Sequence, residues 1–404
     1  MIDATVDDAQ KPLVTQSALL VVSLAYAPSL LSMMTVGIIV PFIGTLTRVL
    51  SATPAELGLA IAFFSMPTAI GALAGGGIVD RFGVRRSLLV SLVVAAIASL
   101  VASFAVTLQA FDAAILLAGI GYGGICIASP CLVMQKLTGE KRTRAMAFFS
   151  TYPPTGYAVG LLLGAAFVAS DNWQLALRFH AALLALAFFV LLRALPRADA
   201  PAGRERSAAA RPLRSLLSAL REPRVIGLGI AVALPNAVSY GTSLAAPAHL
   251  ARLHHVSLAM SSTAVASAKI VALVIGSIAM GYLLSRARRT TALFAGMVLL
   301  GLLAQALIFL PIAGIMTATG ALILWIFAFG GMAGGAMALL PLVVKDPARS
   351  GAASGLVNQF ISAASFAAPS TWLALRDGPQ FVALAAACLA VSFLFLPKGR
   401  MREC

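Results

Sequence analysis

Charge is what this chain has least of. Only 11% of its residues are Asp, Glu, Lys or Arg, where a soluble domain carries about 25% to cover its surface. The apolar residues, 60% of the chain, form unbroken runs such as 90–106 and 181–192, which hold no charge at all. Runs of that kind are helices solvated by lipid. Cysteine is equally scarce: Cys126, Cys131 and Cys388 lie in apolar runs and Cys404 is the last residue. That spacing excludes a disulfide framework and a metal-ligand set, so no metal and no cofactor is expected. Also missing are a nucleophile with its base, a phosphate-cradling loop and an ATPase motif. The chain is therefore not read as an enzyme.

What it has in excess is positive charge, +15 overall. A basic chain can track nucleic acid, but here the charges sit in short loops between apolar runs. That placement excludes nucleic acid as a partner and makes the lipid bilayer one. The first sixteen residues carry Asp3, Asp7 and Asp8 and lack the basic start of a secretory signal. The first apolar run is therefore read as a span.

A spanning helix needs about 20 mostly apolar residues. Punctuation by charge, Pro and Gly predicts spans near 18–47, 55–79, 86–106, 111–135, 145–169 and 174–195. A second set follows near 225–250, 257–284, 290–310, 315–344, 351–375 and 379–396. The expected organisation is a tail over 1–17, a six-helix bundle over 18–195, a linker over 196–224, a second six-helix bundle over 225–396 and a tail over 397–404. The linker is arginine-rich, from Arg197 to Arg221. By the positive-inside rule, 24 of the 29 Lys and Arg fall on the side of the tails and linker, and only Arg48, Arg178, Arg252 and Arg376 on the other. That bias predicts both termini in the cytoplasm and an inner-membrane location.

The two sets repeat. Gly76 matches Gly281 and Arg144-Ala145 matches Arg349-Ser350, each at an offset of 205, and Pro41 matches Pro247 at 206. Duplicated halves place a substrate site at the interface of the repeats.

After span 2 the chain reads Gly76-Gly77-Ile78-Val79-Asp80-Arg81-Phe82-Gly83-Val84-Arg85-Arg86. With the twelve spans and the central basic linker, this loop resembles the helix 2–3 motif of the major facilitator superfamily, and the resemblance covers the whole chain. It implies an all-α integral membrane fold of twelve helices in two pseudo-symmetric bundles. It also implies that Gly76, Asp80, Arg81, Gly83, Arg85 and Arg86 form a latch that holds one conformation. In the second copy Ser285 stands where the Asp would be, which implies a weaker latch. Two features of proton-driven exporters are missing: Ile115 replaces the helix 4 Arg four residues before Gly119, and Leu161 follows Gly160 where Pro is expected. Gly156, Gly160 and Gly164 still form a stripe suited to close helix packing.

Ionisable groups inside a membrane are costly and mark function. Lys269, midway along span 8, is read as the one such group well inside a span. Ser262, Ala266, Ala272 and Gly276 share its face, and Val271, Val274 and Ile278 lie opposite, so Lys269 is expected to face a cavity. No carboxylate sits at its depth, which suggests that the substrate supplies the negative charge. Polar stripes extend the expected site: Asn236, Tyr240, Ser243 and Pro247 on span 7, and Asn358, Ser362, Ser365 and Pro369 on span 11. Tyr26 on span 1, Tyr122 and Cys126 on span 4, Tyr152 where helix 5 opens with Tyr152-Pro153-Pro154 and a kink is expected, and Trp325 on span 10 complete it. His249, His254 and His255 are read as interfacial. The expected function is secondary transport of a small organic anion, a carboxylate, by a monomer working through alternating access. The alternative is proton-coupled drug export through an apolar cavity of Phe63, Phe64, Trp325 and Phe329.

Overall fold

Within a bilayer no water reaches backbone N–H and C=O groups, so a spanning chain closes its hydrogen bonds inside helices. The computed structural model describes residues 17–70, 79, 82–137, 145, 148–149, 151–195, 222–286, 290–343 and 350–396. Among the described residues there are twelve helices of ten residues or more and no strand. They are α1 (Ala18–Ile39), α2 (Pro54–Phe63), α3 (Val84–Ala102), α4 (Leu108–Lys136), α5 (Tyr152–Phe167) and α6 (Trp173–Ala194). Then come α7 (Pro223–His254), α8 (Leu258–Arg286), α9 (Thr290–Phe309), α10 (Ile315–Val343), α11 (Ser350–Ala374) and α12 (Gly378–Phe395). Nine helices among the described residues are long and apolar enough to cross a membrane.

Helix ends follow local chemistry. Thr53 and Glu56 form a capping box at the start of α2, and Thr107 and Asn172 cap α4 and α6 through their side chains. Pro41 falls in a 3₁₀ turn, Val40–Phe42, after which a short helix, Ile43–Val49, carries α1 onward. Tyr152-Pro153-Pro154 opens α5, at the place of the expected kink. The prolines occupy the first turn of α5, where the N–H groups they lack would have no helical partner. Ala145, Phe148 and Phe149 are helical upstream of it.

The packing repeats with a shift of six helices. α1 packs on α4, α5 and α6, and α3 on α4 and α6; likewise α7 packs on α10, α11 and α12, and α9 on α10 and α12. The strongest crossings between the sets, α2 on α11 and α5 on α8, exchange under the same shift. The fold is therefore two pseudo-symmetric bundles facing each other. Within the first, α5 lies against the α1 backbone along its glycine stripe: a Cβ at Gly164 would come within 2.6 Å of the Ile38 carbonyl oxygen, and one at Gly160 would collide with the Met34 carbonyl. Residues 1–16, 196–221 and 397–404, which hold most of the expected tails and linker, lie outside the described residues.

The expected latch is described only in part. Gly76, Asp80 and Arg81 lie outside the described residues. Gly83 caps α3 at φ 82° and ψ 153°, a conformation open in practice only to glycine. Gly83→Ala is therefore expected to destabilise the loop by ~1–3 kcal/mol, read as a lower melting temperature in detergent. Arg85 donates from Nε to the Leu195 carbonyl (3.0 Å) and from Nη2 to that of Leu192 (3.1 Å). It thereby closes the C-terminal end of α6, whose last carbonyls have no helical donor.

Candidate functional site

A cavity of about 1240 Å³ lies between the bundles, somewhat above the usual ~300–1,000 Å³ of a small-molecule site. Its described walls come from both halves: Phe64 and Ser65 on α2, Tyr122 and Cys126 on α4, Tyr152 and Tyr157 on α5. Facing them are Asn236, Ser239 and Tyr240 on α7, Lys269, Leu273 and Ser277 on α8, Phe329 on α10, and Ile361, Ser362 and Ser365 on α11. Four of the chain's six tyrosines are on this wall. Toward one end the cavity runs to Val79, Phe82 and Arg86 beside the α2–α3 loop. At the other end α2 and α11 meet backbone to backbone, so closely that a Cβ on Gly58 would lie 2.6 Å from the Pro369 carbonyl oxygen. The described walls thus extend toward the α2–α3 loop, while the two bundles meet at the opposite end.

Lys269 is buried on the cavity wall at 8% exposure. On its helix, Ser262, Ala266 and Ala272 are buried with it, while Ile275 and Ile278 are exposed on the outer face, where lipid would lie. The Lys269 Nζ stands 4.2 Å from the centroid of the Tyr157 ring, a cation–π contact across the two halves. No carboxylate is among the described lining residues, and Arg86 at the mouth is the other charge there.

Tyr157 is held in place by α7. Pro247 has no N–H, so the carbonyl four residues before it, that of Ser243, loses its helical donor. The Tyr157 hydroxyl donates to that oxygen at 2.8 Å. Pro235 frees the Ala231 carbonyl in the same way, and the Ser392 hydroxyl donates to it at 2.6 Å. Tyr240 meets Tyr157 edge to face, with centroids 6.4 Å apart. The Tyr240 hydroxyl makes no hydrogen bond of ordinary geometry; Ser65 is the polar group beside it.

Of the residues expected at the site, the structure brings Lys269, Asn236, Tyr240 and Tyr152 together on the wall. Asn236 donates to the Ser365 hydroxyl at 2.9 Å, tying α7 to α11. The Tyr152 hydroxyl lies 2.9 Å from Cys126 Sγ and 3.4 Å from the Tyr122 hydroxyl. The Asn358 side chain lies outside the described residues. Tyr26 and Trp325 are not brought in. Tyr26 stacks on Phe148 with centroids 4.7 Å apart and bonds Thr151 at 3.1 Å. Trp325 is fully buried over Gly301 of α9, where only the missing side chain leaves room for an indole, and Phe329 one turn later takes the wall.

Two residues escape the sequence reading. Tyr157 answers the same argument that singles out Tyr152, a phenol in a span that needs a partner. His180 corrects the expectation that Lys269 alone is ionisable well inside a span. It is fully buried, with Nε2 2.7 Å from the Leu31 carbonyl oxygen and Nδ1 2.9 Å from the Ser99 hydroxyl. It ties α6 to α1 and α3 and does not line the cavity. His249 is half-buried and bonds the Phe309 carbonyl at 3.0 Å, more anchored than an interfacial reading expects.

Comparison with known proteins agrees with this architecture. The family model described as Major Facilitator Superfamily matches residues 27–369. The niacin transporter NiaP of Acinetobacter baylyi is 26% identical over 160 residues, covering 40% of this chain and 36% of that one. A Bacillus subtilis protein named for niacin/nicotinamide transport, NiaP, is 28% identical over 192 residues, covering 48% and 46%. The matched segments span less than half the length of these curated relatives. Among solved structures, the inward-open xylose transporter XylE from E. coli superposes with a TM-score of 0.72 at 17% identity, over 95% of this chain and 98% of that one.

Proposed function

Because the chain belongs to the major facilitator superfamily, and so is a multi-pass membrane transporter and not an enzyme, we propose that it carries a small organic anion with a carboxylate group by alternating access. The observation that carries this reading is Lys269, a buried ammonium on the cavity wall with no described carboxylate beside it. A carboxylate brought by the substrate supplies the missing charge through a charge-assisted hydrogen bond. The rings of Phe64, Tyr122, Tyr157, Tyr240 and Phe329 suit a flat, apolar body behind that carboxylate. Niacin, named for both NiaP relatives, is a pyridine carboxylate and has this form. The charge bias supports a cytoplasmic position for the tails and for the α2–α3 loop, so the end of the cavity beside that loop is the one that faces the cytoplasm across the inner membrane. Uptake by a monomer is the working arrangement.

The test is a thermal-shift panel on the purified protein, using niacin, other small carboxylates, and lipophilic cations. A ligand present at 100 times its Kd stabilises the folded form by about 2.7 kcal/mol. Stabilisation by niacin or a related carboxylate that disappears in Lys269→Ala is the expected result. Stabilisation by lipophilic cations, indifferent to Lys269, would replace this reading with drug export.

A further inference from the structure

We propose that Tyr157 is the stand-in counter-group for Lys269 in the empty carrier, and that it lets the carrier return across the membrane without substrate. The inference rests on the reading of Lys269 as the substrate's anchor.

A carrier with a fixed buried cation faces a difficulty when its site is empty. To reorient it must close the cavity around an ammonium whose partner has left, and an unpaired charge in a closing, water-poor site is expensive. A carrier with no answer to this cost can only exchange one substrate for another.

Here an answer is in place. The Tyr157 ring offers its electron-rich face to Nζ at 4.2 Å, well inside the roughly 6 Å reach of a cation–π contact. The ring cannot easily turn away. Its hydroxyl is bonded to the Ser243 carbonyl that Pro247 leaves free, and Tyr240 packs on its edge. The pair also crosses the interface that must move, since Tyr157 belongs to α5 and Lys269 to α8. An arriving carboxylate makes the stronger, charge-assisted bond and takes the ammonium from the ring. Its departure returns the ammonium to the ring.

The readout is a ratio, net uptake against exchange. In liposomes, entry of radiolabelled niacin into empty vesicles requires the empty carrier to return, whereas entry into vesicles preloaded with unlabelled niacin does not. In Tyr157→Leu the net-to-exchange ratio is expected to fall about thirtyfold, the factor equivalent to the ~2 kcal/mol of a desolvated cation–π contact. Tyr157→Phe keeps the ring face and its packing on Tyr240 while losing the hydroxyl anchor, and is expected to keep most of the wild-type ratio. A Tyr157→Leu protein with an unchanged ratio overturns the inference, whether both rates fall together or neither falls.

Melting temperatures without substrate give an independent arm. Tyr157→Leu is expected to lower the melting temperature less in a Lys269→Met background than in the wild type. Additive shifts mean that the two side chains do not support each other, which also overturns the inference. Unaltered niacin transport by Lys269→Ala would sink the anion site itself, whereas dependence on Lys269 with an unaltered Tyr157→Leu ratio would sink only the stand-in role.

Discussion

Lys269→Ala is expected to weaken anion transport strongly while leaving the protein folded. The ammonium is buried on the cavity wall and meets the Tyr157 ring as its described partner. Its removal takes a costly charge out of a low-dielectric site, so the melting temperature should hold or rise. The substrate, by contrast, loses a hydrogen bond to a charged group, worth ~1.5–3 kcal/mol. That corresponds to an apparent affinity about tenfold to hundredfold weaker, read as a shifted concentration dependence of uptake into proteoliposomes. Lys269→Arg should recover part of the loss, because the charge remains while the planar guanidinium reaches differently. Transport kinetics unchanged in Lys269→Ala would end the proposal that the substrate is anchored there.

The second large effect is expected at Gly58, where the two bundles meet. A Cβ there would lie 2.6 Å from the Pro369 carbonyl oxygen and 2.7 Å from the Ser370 Cα. Both are backbone atoms of the opposite bundle, which cannot step aside by changing rotamer. Gly58→Val should therefore push α2 off α11 at the shut end of the cavity without disturbing the packing inside either bundle. Overpacking of this kind costs ~1–3 kcal/mol, enough to move a two-state balance about tenfold to hundredfold. Spin labels on the neighbouring ends of α2 and α11 should report a longer separation, and transport should fall because that end no longer closes. Short separations together with normal transport would show that the crossing is not a gate.

Much of this protein is legible in its amino-acid order, and lipid is the reason. A segment in hydrocarbon must be helical and apolar along its length, so composition and punctuation are enough to expect twelve spans, and nine of the described helices are long and apolar enough to cross. The duplicated halves show in the offsets of Gly76, Arg144 and Pro41, because each copy keeps its own turns and breaks. Lys269 stands out for a similar reason, as a charge that hydrocarbon does not tolerate without a purpose.

The residues that the structure places elsewhere differ from it in kind. Tyr26 and Trp325 are at home inside a span, and only depth and polarity point them to the site. Which way a side chain points depends on the neighbouring helix, and Gly301 draws the Trp325 ring out of the cavity's reach.

The helices, their pairing into two halves and the presence of one lysine that needs an explanation all follow from what a residue can tolerate in lipid, and the sequence alone specifies them. It takes the packed bundles to put Tyr157 over that lysine, to turn the carbonyl freed by Pro247 into the anchor of Tyr157, and to let Gly58 shut the far end. Each of these joins residues from opposite halves, and no periodicity within a single helix records which face will meet another helix.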